Sequence, residues 1–241
     1  MTLRPTLPRR VGTAALWPVG IGLTCWNYMW RTTPMSRSEL PGTAGDDMPP
    51  PLPADASDAS DAEIQDADAG VGPLFHRLYS VWIGDTSCTA HGLMERVTAD
   101  LNAATPTELA RFFKVRGERG ALESGDEFVV RMPGPWDGPV RVVQRTGTSF
   151  RFVTLKGHLE AGQIEFRAAR ADSGALLFSI ESWARSGDWL SNLLYSRLRM
   201  AKEVQLHMWT SFLENVVGLA GGCRRGRVAI ETRRVDGARG G

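Results

Sequence analysis

The chain is poor in lysine, cysteine and recognisable catalytic signatures. Of its 28 basic residues only Lys114, Lys156 and Lys202 are lysines. That skew accompanies abundant alanine and glycine and reads as coding bias, not as selection for guanidinium contacts. Cys25, Cys88 and Cys223 are far apart and odd in number, and no CxxC or His-rich pairing accompanies them. A disulfide scaffold and a structural zinc site are therefore not expected, and a reducing, cytoplasmic compartment is. No GxSxG, Walker loop, GxGxxG, kinase set, HExxH or Cys–His pairing occurs. The familiar nucleophilic, nucleotide-binding and metal chemistries thus have no visible carrier, and neither cofactor nor metal is expected. With a net charge of +1 and no aromatic-plus-basic stretch that resembles an RNA-binding strand, a nucleic-acid partner is not expected either.

The near-neutral charge is a cancellation between segments. Residues 1–40 carry five Arg against one Glu, residues 41–70 carry eight acids and no Lys or Arg, and the tail from 221 carries six Arg against two acids. Only residues 71–220 resemble an ordinary globular surface. The acidic stretch is rich in Pro, Ala and Asp, with Met48, Leu52 and Ile64 as its only large apolar residues. Its composition predicts a disordered, extended linker, because so little apolar surface does not offset chain entropy. Residues 221–241 are Gly/Arg-rich and predict a flexible basic tail. Within the basic and apolar leader, residues 11–30 have no charged side chain and are flanked by Arg9, Arg10 and Arg31. Twenty such residues could span a bilayer, but Pro18, Gly20, Gly22 and Asn27 interrupt them. Packing on the domain, lying at a membrane surface and spanning it all stay open.

Residues 71–220 read as one α+β domain. The alternation Phe75, Arg77, Tyr79, Val81 predicts a first strand ending at Gly84-Asp85. HGLMERVTADLNAA has helical spacing of Leu93, Met94, Val97 and Leu101. TPTELARFFKV predicts a second short helix, with Thr105 as N-cap and Pro106 at its first position. GDEFVVRM, VRVVQRTG, TSFRFVTLKG, QIEFRAAR and ALLFSIESWAR follow as strands, with a hairpin at Thr146-Gly147-Thr148. Their regular spacing indicates an antiparallel meander, not βαβ units. The stretch from Ser186 to Gly222 then predicts a long amphipathic helix stopped at Gly221-Gly222, its stripe including Val204, Met208, Phe212 and Val216. His207 is placed on the polar flank beside Glu203. An antiparallel sheet needs a cover for its apolar face, and this element order suggests a curved sheet wrapped around the C-terminal helix.

Four separated motifs sharpen this: MPGPWDGPVRV at 132–142, GHLEAGQIEF at 157–166, FSIESWARSGD at 178–188 and AKEVQLHMWTSFLENV at 201–216. In this order they resemble the bacterial family of domain of unknown function 1990. WRTTPMSRSE at 30–39 resembles a subgroup with an extra leader. Leu159 stands where many members have a proline. The resemblance implies a helix-grip fold of the START and Bet v 1 kind and carries no established activity.

Candidate site residues follow from chemistry and position. His158 and Glu160, two residues apart in a Gly-bounded turn, could act as acid and base; they could equally bond backbone in a turn. Arg131, Glu165 and Glu181 lie in strands whose facing depends on register. Arg197, Gln205 and Asn215 interrupt the apolar helix stripe and need partners if buried, since an unmet buried polar group costs about 1–3 kcal/mol. Trp136, Trp183, Met208, Trp209 and Phe212 are candidate apolar walls. The leading expectation is a module binding a small apolar or amphipathic molecule under the long helix, with Arg131, Trp136, Glu165, Glu181, Trp183, Arg197, Gln205, Met208 and Phe212 as ligand contacts. An enzyme using His158 and Glu160, and a membrane-tethered structural factor, are the alternatives.

Overall fold

Strand residues that alternate in sequence divide here into an apolar face and a charged one, and that division shapes the molecule. The computed structural model describes residues 34–56, 62–132, 137–187 and 199–236. Residues 11–30, Trp136 and Arg197 lie outside them. In chain order the elements are β1 (Met35–Pro41), β2 (Val71–Gly84), α1 (Ala90–Ala99), α2 (Leu101–Ala104), β3 (Arg111–Arg116), β4 (Glu127–Arg131), β5 (Asp137–Arg145), β6 (Ser149–Thr154), β7 (Glu160–Arg170), β8 (Leu176–Ser186), α3 (Arg199–Ala220) and β9 (Cys223–Val235). The nine strands form one sheet in the order β1-β9-β2-β8-β7-β6-β5-β4-β3. Every neighbouring pair is antiparallel except β1 and β9. The fold is α+β, a curved antiparallel sheet with α3 against its inner face.

Aromatic rings fill the inner face. Phe150 stacks on Phe166 at 4.6 Å between centroids, and Phe166 meets Trp209 and Phe212 of α3 at 5.6 and 5.4 Å. Phe112, Phe128 and Phe152 continue the cluster toward the β3 edge. The buried side of α3 comprises Leu206, Trp209, Phe212, Leu213, Val216, Val217 and Ala220. Phe212 and Val216 of the expected stripe are inside, but its axis is rotated toward Leu206 and Leu213. His207 is buried, not on an exposed flank. The helix stops as expected: Gly221 has φ +64°, its N–H donates to Gly218 O, and Gly222 N–H reaches Val217 O. This is a Schellman cap, which glycine adopts without Cβ strain.

Three sequence expectations are corrected. The acidic stretch 41–70 is not a free linker over its described residues. Leu52 and Ile64 pack against Val143 and Val153, Asp66 caps a 3-10 turn at Ala67–Ala69, and Ile64 forms a bridge with Leu155. Two of the three large apolar residues of this stretch anchor it, and Met48 is exposed. The expected flexible tail contains β9, which sits between β1 and β2 with Val228 and Ile230 in the core. Its alternation Val228, Ile230, Thr232 was hidden among arginines that face outward. Finally, RFFKV is strand β3, not helix. Thr105 closes α2, its hydroxyl bonding Leu101 O, and Phe112 then alternates inward between exposed Arg111 and Phe113.

Removing the central ring tests this core. Phe166→Ala should lower the unfolding free energy by about 3–5 kcal/mol, read from denaturant melts, with Phe166→Leu much milder. A loss below about 1 kcal/mol would show that the cluster is not the stabilising core.

Candidate functional site

Polar groups converge at one end of the helix–sheet interface. Arg77 belongs to the inward parity of Tyr79, Val81 and Ile83 on β2 and is only 3% exposed. Its Nη1 lies 3.5 Å from Gln205 Oε1, as donor, and 3.8 Å from Glu160 Oε1. Gln205 Nε2 donates to both Glu160 carboxylate oxygens at 3.1 and 3.2 Å. The amide therefore bridges guanidinium and carboxylate, and the helix is tied to β2 and β7 through one hydrogen-bonded triad. Next to it lies a pocket of about 80 Å³ lined by Arg37, Glu39, Arg77, Tyr79, Leu206 and Ile230, among others. Burial pushes the Tyr79 phenol up to about 12, so it is a neutral hydroxyl at any physiological pH.

Two further groups border the triad. Ser182 pairs with Arg77 across β8 and β2, and Trp209 lies one helical turn beyond Gln205. Both are more than nine-tenths buried, and Ser182 Oγ and Trp209 Nε1 have no hydrogen-bond partner among the described residues. Native interiors satisfy nearly all such atoms.

The other sequence candidates are distributed differently. His158 Nδ1 lies 2.9 Å from the Glu160 backbone nitrogen and 3.0 Å from the Glu160 carbonyl oxygen, so the ring is bound to the main chain of the turn. Burial lowers its pKa, against the opposing influence of Glu160, so the ring is neutral. Its Nε2 side faces Gly138, where a Cβ would sit 2.8 Å away. The Glu160 carboxylate turns to Gln205 instead. The imidazole thus orders the turn and the carboxylate orders the helix; they do not meet as an acid/base pair.

Arg131, Glu165, Glu181 and Trp183 occupy the parity opposite to Val130, Phe166, Ile180 and Ser182, and so lie on the convex face and not in the gap. Arg131 covers the Phe113 ring at 4.4 Å, and Glu165 accepts from Arg167 at 2.7 Å. Asn215 is exposed and donates to Ala104 O. Met208 is half-buried at the margin of the core, and Phe212 is wholly inside it. Arg77 was missed as a site residue, although its place in the inward alternation of β2 was readable.

His76, one residue from Arg77 and on the other face, forms a second polar centre. Its Nδ1 lies 2.7 Å from Asp47 Oδ1 and its Nε2 2.7 Å from Glu181 Oε1, and the ring stacks on Trp183 at 5.2 Å. Arg233 Nη1 reaches the same Asp47 oxygen at 3.3 Å and pairs with Glu231. Two acceptors on two ring nitrogens require the imidazolium. Burial opposes that charge, but hydrogen bonds to Glu181 and Asp47 outweigh it and raise the pKa. Burial of Asp47 is likewise overridden, by His76, the Thr43 N–H and Arg233, and its pKa is lowered.

The family described as domain of unknown function (DUF1990) matches residues 76–214, more than half of the chain, and the chain belongs to that family. No curated protein matches it in sequence. Among solved structures it is similar to a hypothetical protein of Helicobacter pylori, with 7% identity over 59% of this chain and 86% of that one and a TM-score of 0.43. It is similar to a conserved protein of Geobacillus kaustophilus, with 9% identity over 63% and 99% and a TM-score of 0.42. It is also similar to Ara h 8.0201, with 12% identity over 59% and 97% and a TM-score of 0.39. Among the described residues no helix is long and apolar enough to cross a membrane.

The His76 centre sets a pH dependence. A raised histidine pKa stabilises fully below the ordinary imidazole value, and that contribution is lost as pH rises through the raised one. A lowered Asp47 pKa stabilises above the ordinary carboxylate value and is lost as pH falls through the lowered one. Wild type should therefore lose more thermal stability than His76→Gln on going from mildly acidic to alkaline pH. Parallel Tm-against-pH curves for the two proteins would remove the imidazolium from the account.

Proposed function

We propose that this domain binds a small amphipathic molecule at the end of the helix–sheet interface. Its polar end would lie against Arg77, Glu160 and Gln205, and its apolar part on Leu206, Ile230 and Tyr79. The observation that carries this reading is the pocket with charged and apolar walls at Arg77, together with two buried, unsatisfied groups, Ser182 Oγ on the strand partner of Arg77 and Trp209 Nε1 one helical turn from Gln205. A mostly apolar site with a few convergent polar groups is the common form of a small-molecule site. The aromatic cluster occupies the rest of the described interface, so the ligand favoured is small, not one that fills a barrel-like interior. Ser182 offers a donor or an acceptor and Trp209 a donor only, which favours a ligand bearing a carbonyl, hydroxyl or carboxylate oxygen.

Native mass spectrometry of the full chain purified from its own host tests this directly, before and after denaturing extraction. A small molecule released on unfolding is expected, with its occupancy reduced in Trp209→Phe, which keeps an aromatic side chain and removes the donor. A protein that carries no small molecule under gentle handling, and whose Trp209 indole signal is unmoved by a panel of small ketones, alcohols and carboxylates, would overturn the reading.

A further inference from the structure

The convex face carries a separate feature that does not depend on the ligand site. Residues 48–53 read Met-Pro-Pro-Pro-Leu-Pro, so each is a proline or precedes one. Proline fixes φ and biases its predecessor to extended ψ, which favours a polyproline-type strand. This arm crosses the sheet. Gln163 Nε2 donates to Pro50 O at 3.1 Å, Arg151 Nη2 to Pro51 O at 3.4 Å and Arg141 Nη1 to Ala56 O at 2.8 Å. Leu52 and Ala56 pack with Val143, Val153 and Ile64. Each of these bonds runs from a sheet side chain to an arm carbonyl. They read an extended backbone, with one apolar anchor, and not the arm's own side-chain chemistry.

The fit is incomplete. Arg151 Nε and Gln163 Oε1 are buried without a hydrogen-bond partner among the described residues, in side chains of residues that are each only 5% exposed. The arm's composition supplies the reason. Pro49, Pro50 and Pro51 have no N–H to give to Gln163 Oε1 and no side-chain acceptor for Arg151 Nε. The arm is held instead by its tether, which gives an attached segment an effective concentration in the millimolar range, and by Asp47, clasped by His76 and Arg233.

We infer that this face is a docking groove for an extended, proline-flanked segment of another protein chain, and that residues 48–56 are its built-in and imperfect occupant. The favoured partner keeps carbonyls over Gln163, Arg151 and Arg141 and an apolar side chain at the Leu52 position. It adds a backbone N–H and a carboxylate where the arm has prolines.

Fluorescein-labelled peptides test this against the full-length chain. One has the arm sequence MPPPLPADA; the other carries Pro51→Glu, which supplies the missing carboxylate for Arg151 Nε. Asp47→Asn loosens the arm. The Pro51→Glu peptide should bind the Asp47→Asn chain about tenfold more tightly than the arm peptide, the effect of roughly one satisfied polar atom. Wild type should bind both more weakly, and adding Arg151→Met should abolish the preference. A measurement that needs no trans binding is the same Pro51→Glu change within the chain, which should raise Tm by about 2–4 °C. No peptide binding, equal binding of the two peptides, or an unchanged or lowered Tm would each overturn the inference. So would conversion of the Asp47→Asn chain to a dimer that excludes peptide, which would make a second copy's arm the occupant.

Discussion

Packing of α3 on the aromatic inner face is the interaction on which everything else depends. Trp209 and Phe212 insert among Phe150, Phe166 and Phe178, rings contributed by three adjacent strands. Burying that much ring surface from both sides is worth several kcal/mol per residue. It also fixes strand register, since a one-residue slip would carry every phenylalanine to the other face. Register in turn decides the fate of each charged strand residue. Arg77 and Glu160 fall on the inner parity, near the point where the aromatic cluster ends, and Gln205 joins them. The site in the interface exists because apolar packing stops there.

The same parity drives the remaining charges outward. Glu127, Arg141, Arg151, Gln163, Glu165, Glu181, His76 and Arg233 lie on the convex face, and several are nonetheless buried. Arg141 is fully buried, paired with Glu127 and donating to Ala56 O. A buried guanidinium needs acceptors at most of its N–H groups, and the arm supplies them as carbonyls. The acidic, proline-rich stretch is therefore an ordered cover. Its prolines suit it to donate no hydrogen bonds of its own to a surface that is itself rich in donors.

Much of this was legible in the residues. The alternation in Phe150-Phe152, Phe178-Ile180 and Phe75-Arg77-Tyr79, the Gly221-Gly222 stop and the four family motifs specify the meander, the long helix and their order. The acidic arm and β9 were not legible, because composition speaks for a segment in isolation. The arm's order comes from Arg141, Arg151 and Gln163, residues distant in sequence whose burial no local pattern announces. β9 joins the sheet through pairing with β2, which its arginines masked. His158 and Glu160 looked like a pair because a single residue separates them; in the turn, one side chain bonds the main chain and the other faces the helix.

The two sets of unmet polar atoms differ in kind, and the difference bears on what each surface does. Ser182 Oγ and Trp209 Nε1 belong to the helix–sheet interface, next to the Arg77–Gln205–Glu160 triad in strand pairing and helical spacing. Arg151 Nε and Gln163 Oε1 lie beneath a segment of the chain itself, whose prolines lack the groups required. The first is a pair of polar groups within the helix–sheet interface and favours a small ligand. The second is a mismatch between two surfaces already in contact, and a mismatch of that sort is relieved by a better-matched chain, not by a small molecule. The one β2 strand connects them, with Arg77 facing the pocket and His76 facing the arm's anchor. A change in the protonation of His76 therefore acts first on the arm, and reaches the pocket only through the backbone that these two adjacent residues share.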